Sequence, residues 1–305
     1  MTISLNFQVL RECAFGIVDA AMVEHLPEGL CAEPLVPKKL TQSAHLMPTL
    51  VNLRRTPLDR LNVLLDGLEE LCERGKPPSV ALFIQTDCTV TDIARHWNAM
   101  QLAQPPRGRK LWLRLHDPRV LHQMLRVRDA MQRRKLFGLS QEFIYWVGGQ
   151  WVTASRELGP VPSNQVLRND VVAPYAEPAK WNWNRIERIG LVNRALLGAG
   201  IREAAVLTSQ GPLAEQLIER AVVRHGLSGP ADLVEFAVRG LQTKPAFDEH
   251  RDVVRAIRVD IASANDSSLA DRFALIDEQV WSSLRQSINS SGDKHDDHSD
   301  KVRIL

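Results

Sequence analysis

The sequence predicts an α+β fold, a mixed α/β N-terminal lobe with short strands and a hairpin, followed by an all-helical C-terminal lobe. Short apolar runs alternate with amphipathic helical patterns through the first half. Periodicity is then lost across a proline-containing stretch, and only helical patterns follow. The expected boundaries are 1–158 for the α/β lobe, 159–180 for a linker, 181–288 for the helical lobe and 289–305 for a disordered polar tail.

The first lobe contains five predicted strand segments. Residues 14–20 and 80–84 are short apolar runs typical of buried strands. Residues 110–116 alternate, with leucines on one face and Trp112, Arg114 and His116 on the other, which favours a strand with His116 on its polar side. Residues 143–146 and 151–153 flank two glycines and predict a hairpin.

Helices fill the intervals between these strands. Thr56 and Pro57 are expected to start one helix, whose apolar face is Leu58, Leu61, Leu65, Leu68 and Cys72. Thr89 should cap a second helix that buries Ile93, Trp97 and Met100. Asp117 is the expected cap of a third helix with Pro118 in its first turn, and the predicted stripe is Val120, Met124, Val127 and Met131.

The second lobe is expected to contain only helices. One should span about 183–197, another should begin after Gly211 and Pro212, and a third should cover 232–241. A last helix should start at Ser268 with Asp271 in a capping box, and its predicted stripe is Leu269, Phe273, Ile276, Val280 and Leu284.

The composition restricts the classes of partner. The net charge of +2 over 305 residues is too small to indicate nucleic acid or an anionic membrane as the main partner. No apolar run approaches the roughly 20 residues that span a bilayer, and Arg11 and Glu12 interrupt any secretory signal. The four cysteines form no C-x-x-C pair, which favours reduced thiols. We therefore expect a cytoplasmic protein.

Few residues suggest catalysis, and for each of them a structural role is the preferred interpretation. His116 and Asp117, or Cys88 between a strand and a helix, would serve a hydrolase or transferase of unknown type. We expect His116 and Cys88 not to converge with a second titratable group in a cleft. His295 and His298 lie in an acidic context that suits a metal, but a polar tail does not hold ligands in place. No cofactor and no metal site are therefore predicted.

Aromatic and basic residues give weaker indications. Trp146, Trp151, Trp181 and Trp183, with Tyr145, suit either a protein interface or packing between the two lobes, and both explanations stay open. The basic clusters at 107–110 and 133–135 are short and have acidic residues nearby, so solvated faces are the expected interpretation.

Five pieces of the sequence follow one another in a recognisable order: residues 16–21 with Asp19, 45–51, 113–121, 135–138 and Trp146. Together they resemble the adaptor family that loads toxic effectors onto the type VI secretion spike, a family catalogued as a domain of unknown function. The most specific is 113–121, which is similar to a pattern of an arginine, two residues, then Asp-Pro-Arg and an apolar pair. Leu115 departs from the pattern, since the family usually has an aromatic residue there. The resemblance covers residues 14 to 155.

The resemblance implies a non-catalytic adaptor, or chaperone, with two protein partners and no cofactor. These are a secreted effector and a spike protein of the valine-glycine-repeat type. The candidate interaction residues are Arg114, Arg119, Trp146, Trp151, Trp181 and Trp183. Asp117 and Pro118 are expected to build the lobe instead of contacting a partner.

Overall fold

A computed structural model describes residues 2–106, 108–156, 182–258 and 267–289. Within these residues the chain divides into two compact units. The first comprises Met1–Gly190 with Arg202–Thr208, and the second comprises Leu191–Ile201 with Ser209–Leu305. The expected linker at 159–180, Trp181, and the tail with His295 and His298 lie outside the described residues.

The first unit combines short strands with short helices. Its strands are β1 (Thr2–Ile3), β2 (Phe15–Val18), β3 (Ala32–Pro34), β4 (Thr49–Asn52), β5 (Leu82–Gln85), β6 (Leu102–Ala103), β7 (Leu111–Trp112), β8 (Glu142–Val147) and β9 (Gln150–Ser155). Its helices are α1 (Phe7–Glu12), α2 (Leu58–Glu73), α3 (Val90–Met100), α4 (Pro118–Val127) and α5 (Ala130–Phe137). The 3-10 helices Ala20–His25, Thr41–Leu46 and Leu53–Arg55 complete the elements.

A seven-stranded sheet organises this unit, in the order β1-β9-β8-β5-β2-β4-β3. All of its pairings are antiparallel. Strands β6 and β7 form a separate two-stranded sheet. Val18, Thr49 and Pro34 lie opposite one another in neighbouring strands, so the segments after β2 and β3 leave the sheet at the same end.

Successive side chains along each strand point to opposite faces of the sheet. Consecutive residues of the central strands β2 and β5 are buried, so both faces of the sheet are covered. One face, with Val18, Phe83 and Trp151, belongs to a core completed by the leucines of α1 and α2. On the other face, Phe143 stacks on Phe137 of α5 at 4.3 Å and meets Trp97 of α3 edge-on at 6.0 Å between ring centroids. The sheet is therefore covered by helices on each side.

The α+β class is confirmed, and several local predictions hold. The Thr89 side chain accepts a hydrogen bond from the amide of Asp92 and caps α3, whose Ile93, Trp97 and Met100 are buried. The hairpin of β8 and β9 turns at Gly148 and Gly149, with φ of 64° and 78°. Positive φ at both positions is what a two-residue hairpin turn requires.

Three predictions in the first unit are wrong. Helix α2 has no side-chain cap, because the Thr56 hydroxyl donates to the carbonyl of Asn52 and closes the preceding 3-10 helix. The expected strand at 110–116 pairs only at Leu111–Trp112, and the chain then turns. The stripe expected to reach Met131 is interrupted, since α4 ends at Val127, Asp129 caps α5, and Met131 is exposed.

Helices build the second unit, and two of them begin in the first. They are α6 (Trp183–Gly198), α7 (Ala204–His225), α8 (Pro230–Gln242), α9 (Arg251–Ile257), α10 (Leu269–Ala274) and α11 (Glu278–Asn289). Helix α7 does not start after Pro212 as expected, since it begins at Ala204 and contains the proline. The capping box at Ser268 is confirmed, but the helix that it starts stops at Ala274, and Asp277 accepts from the amide of Gln279 before α11.

A buried carboxylate ties together parts of the second unit. Asp248 is fully buried, and it accepts from Arg220 Nη1 at 3.1 Å and from His225 Nε2 at 2.8 Å. Burial of a charge is tolerated when such partners satisfy it.

Among the described residues, no helix is long and apolar enough to cross a membrane.

Candidate functional site

Asp19 stands at the centre of the candidate site. It follows β2 directly and caps the 3-10 helix Ala20–His25, where its Oδ1 accepts from the amide of Ala21 at 3.0 Å. Burial raises the pKa of this carboxyl, but the Ala21 amide, His116 and Arg114 outweigh it, so the pKa of Asp19 lies below its ordinary value. Asp19 is therefore a carboxylate at neutral pH.

Two side chains from the segment after β7 meet this carboxylate. Arg114 Nη2 donates to Asp19 Oδ2 at 3.0 Å, and His116 Nε2 lies 3.2 Å from the same oxygen. The Arg114 side chain is half-exposed, whereas that of His116 is 1 % exposed. We call Asp19, Trp112, Arg114 and His116 the Asp19 cluster.

His116 is buried, contrary to its expected place on a polar strand face. The chain turns after β7, where the amide of Leu115 donates to the carbonyl of Leu113, and this turn directs the imidazole inward. Burial lowers the pKa of His116, while Asp19 raises it and Arg114 lowers it further, leaving it below its ordinary value. Among the described residues, neither ring nitrogen of His116 has a hydrogen-bond partner of good geometry, and the contact with Asp19 is a 3.2 Å approach of Nε2 to Oδ2.

Aromatic stacking and a buried amide support the cluster. The Trp112 ring lies 5.9 Å from the His116 ring, and the Arg114 guanidinium lies 5.9 Å from the Trp112 ring centroid. Trp112 Nε1 donates to Oε1 of the fully buried Gln101 at 3.3 Å. Gln101 Nε2 in turn donates to the carbonyl of Leu35 at 3.2 Å. Gln101 thereby fastens the segment after β3 to β7.

Asp117 has the structural role that was predicted. Its Oδ1 accepts from the amide of Arg119 at 3.0 Å and caps α4, with Pro118 in the first turn. The Arg119 side chain also donates, through Nε to Oδ1 at 3.1 Å and through Nη2 to Oδ2 at 2.8 Å. Burial raises the pKa of Asp117, but these Arg119 contacts outweigh it, and the pKa lies below its ordinary value. Both carboxylate oxygens are thus occupied.

Two titratable groups, Asp19 and Arg114, do lie beside His116. Cys88 does not join this cluster. It follows β5, which runs antiparallel to β2 with Phe15 opposite Ile84, so Cys88 lies beyond the end of β2 opposite to Asp19. At roughly 3.3 Å per residue, the length of β2 separates the two. The Cys88 side chain is half-buried, and the Cys88 carbonyl oxygen accepts from Arg54 Nη1 at 3.4 Å.

The candidate tryptophans have different surroundings. Trp151 is 6 % exposed and belongs to the core beside Phe83, at 5.5 Å between ring centroids. Trp183 is also buried, and Trp146 is half-buried, with its ring edge-on to Trp151 at 5.4 Å. The exposure that a docking role needs is therefore missing at Trp151 and Trp183. Trp181 lies outside the described residues.

A buried hydrogen-bond chain was not predicted from the sequence. Thr208 Oγ1 donates to the carbonyl of Ala204 at 3.0 Å, so it accepts from His122 Nε2 at 2.9 Å. The neutral Nδ1 of His122 then accepts from the Tyr145 hydroxyl at 3.1 Å. Burial, followed by the charge of Arg126, lowers the pKa of His122 to about 4. A lone histidine on a helix gave no sequence signal for this chain.

Among the described residues, no group of three or more His, Cys, Asp or Glu side chains is arranged to hold a metal ion. The Asp19 cluster, together with Arg119 in the first turn of α4, offers different chemistry. Two guanidinium groups, on Arg114 and Arg119, reach solvent while neighbouring carboxylates fix their positions. Such preorganised forks recognise carboxylates and other planar acceptors. The site is thus suited to recognition of a polar partner surface.

Comparison with known proteins gives one match. Residues 14–135 match a protein family described as a domain of unknown function, DUF4123. This range begins at β2 and ends within α5, so it contains Asp19, Arg114 and Asp117. Searches of curated proteins and of solved structures found no significant match.

Proposed function

We propose that this chain is a non-catalytic cytoplasmic adaptor that binds a type VI secretion effector and promotes its loading onto a spike protein of the valine-glycine-repeat type. One observation carries the proposal. Two segments of the resemblance, 16–21 and the most specific one, 113–121, lie within the family match and meet through the Arg114–Asp19 ion pair at 3.0 Å. The residues that characterise the resemblance therefore form one structural site.

The surroundings of the candidate catalytic residues support the non-catalytic part of the proposal. A general base has to reach the proton that it removes. His116 is almost fully buried, and Arg119 occupies both oxygens of Asp117. Cys88 lies at the far end of β2. None of these arrangements exposes a nucleophile next to a base.

Co-purification with the protein products of adjacent genes tests the adaptor role. The full chain, co-expressed with a neighbouring toxin, should co-elute with it, and loading of the toxin onto the spike should fall when the chain is omitted. Arg114→Ala and Arg119→Ala should weaken the complex. Arg251→Ala is the matched control, since its side chain is 87 % exposed and lies in the second unit. Equal spike loading with and without the chain would refute the adaptor role.

An enzymatic role is the second candidate, favoured by the 3.2 Å approach of His116 Nε2 to Asp19 Oδ2. A carboxylate beside an imidazole is a common way to orient a catalytic histidine. Under this alternative, incubation with the chain would change the intact mass of the effector, and His116→Gln would abolish that change. An unchanged mass, with wild-type delivery by a folded His116→Gln variant, would exclude it.

A further inference from the structure

Two segments of the first unit carry positive charge without any acidic residue. Residues 34–58 and 93–116 contain no Asp or Glu, while they contain four and five Lys or Arg, respectively. The rest of the chain must then be acidic, because the net charge is only +2. The small net charge of the chain therefore hides an uneven distribution of charge, and the basic segments favour a negatively charged partner.

The fold brings the two segments together at the end of the sheet where Asp19 lies. The segment after β3 is anchored by the buried Leu35 and Pro37, and a turn from Pro37 to Leu40 presents Lys38 and Lys39 to solvent. The Gln101 side chain links the Leu35 carbonyl to Trp112 of β7, immediately after Arg109 and Lys110. We call Lys38, Lys39, Arg109 and Lys110 the basic rim.

Two ammonium groups of the basic rim lie side by side. The Lys39 side chain is within hydrogen-bond reach of Lys110 and lowers the pKa of Lys110. Two like charges placed this close repel each other. An anion placed between them would reverse the sign of this interaction. The pair therefore favours a partner that carries negative charge.

Aliphatic side chains lie beside the basic rim. The 3-10 helix Thr41–Leu46 follows the lysine turn and packs against the 3-10 helix Ala20–His25, which starts at Asp19. Leu46 and Val23 on these helices are 49 % and 38 % exposed. A protein interface combines apolar contacts with a polar, solvent-accessible rim. Phosphate backbones gain nothing from the aliphatic part.

We propose that the basic rim, together with Val23 and Leu46, binds an acidic amphipathic segment of the effector. The proposal rests on the adaptor role and adds the chemistry of the docking segment. Carboxylates of the segment pair with Lys39 and Lys110, while its apolar residues cover Leu46 and Val23. Arg114, held by Asp19 at the same end of the sheet, offers its remaining donors to the same segment.

The test uses the full chain and a defined probe, an 18-residue fluorescent peptide with Glu and Leu at helical spacing. Its Glu→Gln counterpart and an 18-nucleotide single strand serve as comparison ligands. The double variant Lys39→Glu/Lys110→Glu reverses the charge of the two neighbouring lysines of the basic rim. Lys76→Glu/Arg255→Glu is the matched control, because it makes the same change in net charge at exposed positions elsewhere. Melting temperatures verify that both variants fold.

We expect the wild type to bind the acidic peptide at least about tenfold more tightly than Lys39→Glu/Lys110→Glu does at 100 mM salt. The control should stay within about twofold, and added salt should weaken binding through screening. Equal binding by the rim variant, equal binding of the Glu→Gln peptide, no peptide binding by the wild type, or a preference for the oligonucleotide would each overturn the proposal.

Failure of this proposal is distinguishable from failure of the adaptor role. If the neighbouring toxin co-purifies equally with the wild type and with Lys39→Glu/Lys110→Glu, only the docking surface is wrong. If the toxin never co-purifies and its spike loading does not depend on the chain, the adaptor role is wrong, and the peptide measurement still decides whether the rim binds acidic segments.

Discussion

Asp19 and Arg114 are separated by 95 positions in the sequence, yet Arg114 Nη2 lies 3.0 Å from Asp19 Oδ2. The pair joins the end of β2 to the segment that precedes α4. It also sits over Trp112 and beside the buried His116. The contact therefore connects the two segments on which the adaptor proposal depends.

A double-mutant cycle measures the energy of this contact. Asp19→Asn keeps an acceptor for the Ala21 amide but loses the charge, and Arg114→Gln removes the guanidinium. Both side chains are partly exposed, so the coupling energy should be about 0.2–1 kcal/mol. Urea unfolding of the four proteins provides the value. A coupling energy of zero at low salt would mean that the ion pair contributes nothing to stability.

Removal of the Asp117 cap should cost stability without abolishing binding. Asp117→Ala loses the acceptor for the Arg119 amide, and we expect the free energy of unfolding to fall by about 1 kcal/mol. Asp117→Asn should lose less, because its side-chain oxygen still accepts. Thermal unfolding and effector pull-down check both variants. Loss of binding at an unchanged melting temperature would instead make Asp117 an interface residue.

Gly148 and Gly149 of the hairpin turn allow a controlled comparison of two glycine-to-alanine substitutions. A Cβ at Gly148 would lie 2.3 Å from both the Ala204 amide nitrogen and the Arg202 carbonyl oxygen, whereas a Cβ at Gly149 meets nothing within 4 Å. Both residues have positive φ, so each alanine costs roughly 1–2 kcal/mol of backbone strain. Gly148→Ala should lose about 1–3 kcal/mol more through the clash. Urea midpoints that fall equally would contradict the close approach.

Acid should destabilise the first unit through His122. Its pKa is lowered by burial from the ordinary 6.5 to about 4, so the folded state holds neutral imidazole while the unfolded chain takes up a proton. The free energy of unfolding should therefore fall as the pH drops from about 6.5 to about 4, by up to about 3 kcal/mol. The contribution is fully present above pH 6.5.

His122→Gln should make this pH dependence shallower, because an amide does not titrate. His96 and His116 also have pKa values lowered mainly by burial, so part of the slope remains in the variant. Chemical unfolding at several pH values between 4 and 7 measures both slopes. An identical slope in the two proteins would show that His122 titrates normally in the folded state.

Local features were predictable because their causes are local. The caps Thr89, Asp117 and Ser268 each depend on residues within one helical turn. Pairing of β2 with both β4 and β5 joins segments tens of residues apart, and no local pattern specifies it. Burial of His116 was missed because the leucine alternation at 111–115 equally fits a two-residue strand followed by a turn.

The site was predictable only in its parts. Asp19 and Arg114 both lie in segments that resemble the adaptor family, but their contact needs the fold. Trp151 suited an interface by residue type, whereas its register opposite Ile3 of β1 places it in the core. The basic rim escaped notice because Lys38 and Lys39 are far in sequence from Arg109 and Lys110.

The position of β1 has a consequence for synthesis of the chain. Thr2 pairs with Val152 and Ile3 with Trp151, so the first strand finds its partner only after β9 has been made. At about 5–20 residues per second, roughly 7–30 s separate the synthesis of the two strands. Strand β1 has no partner strand through that interval, so its pairing with β9 is a late contact of high sequence separation.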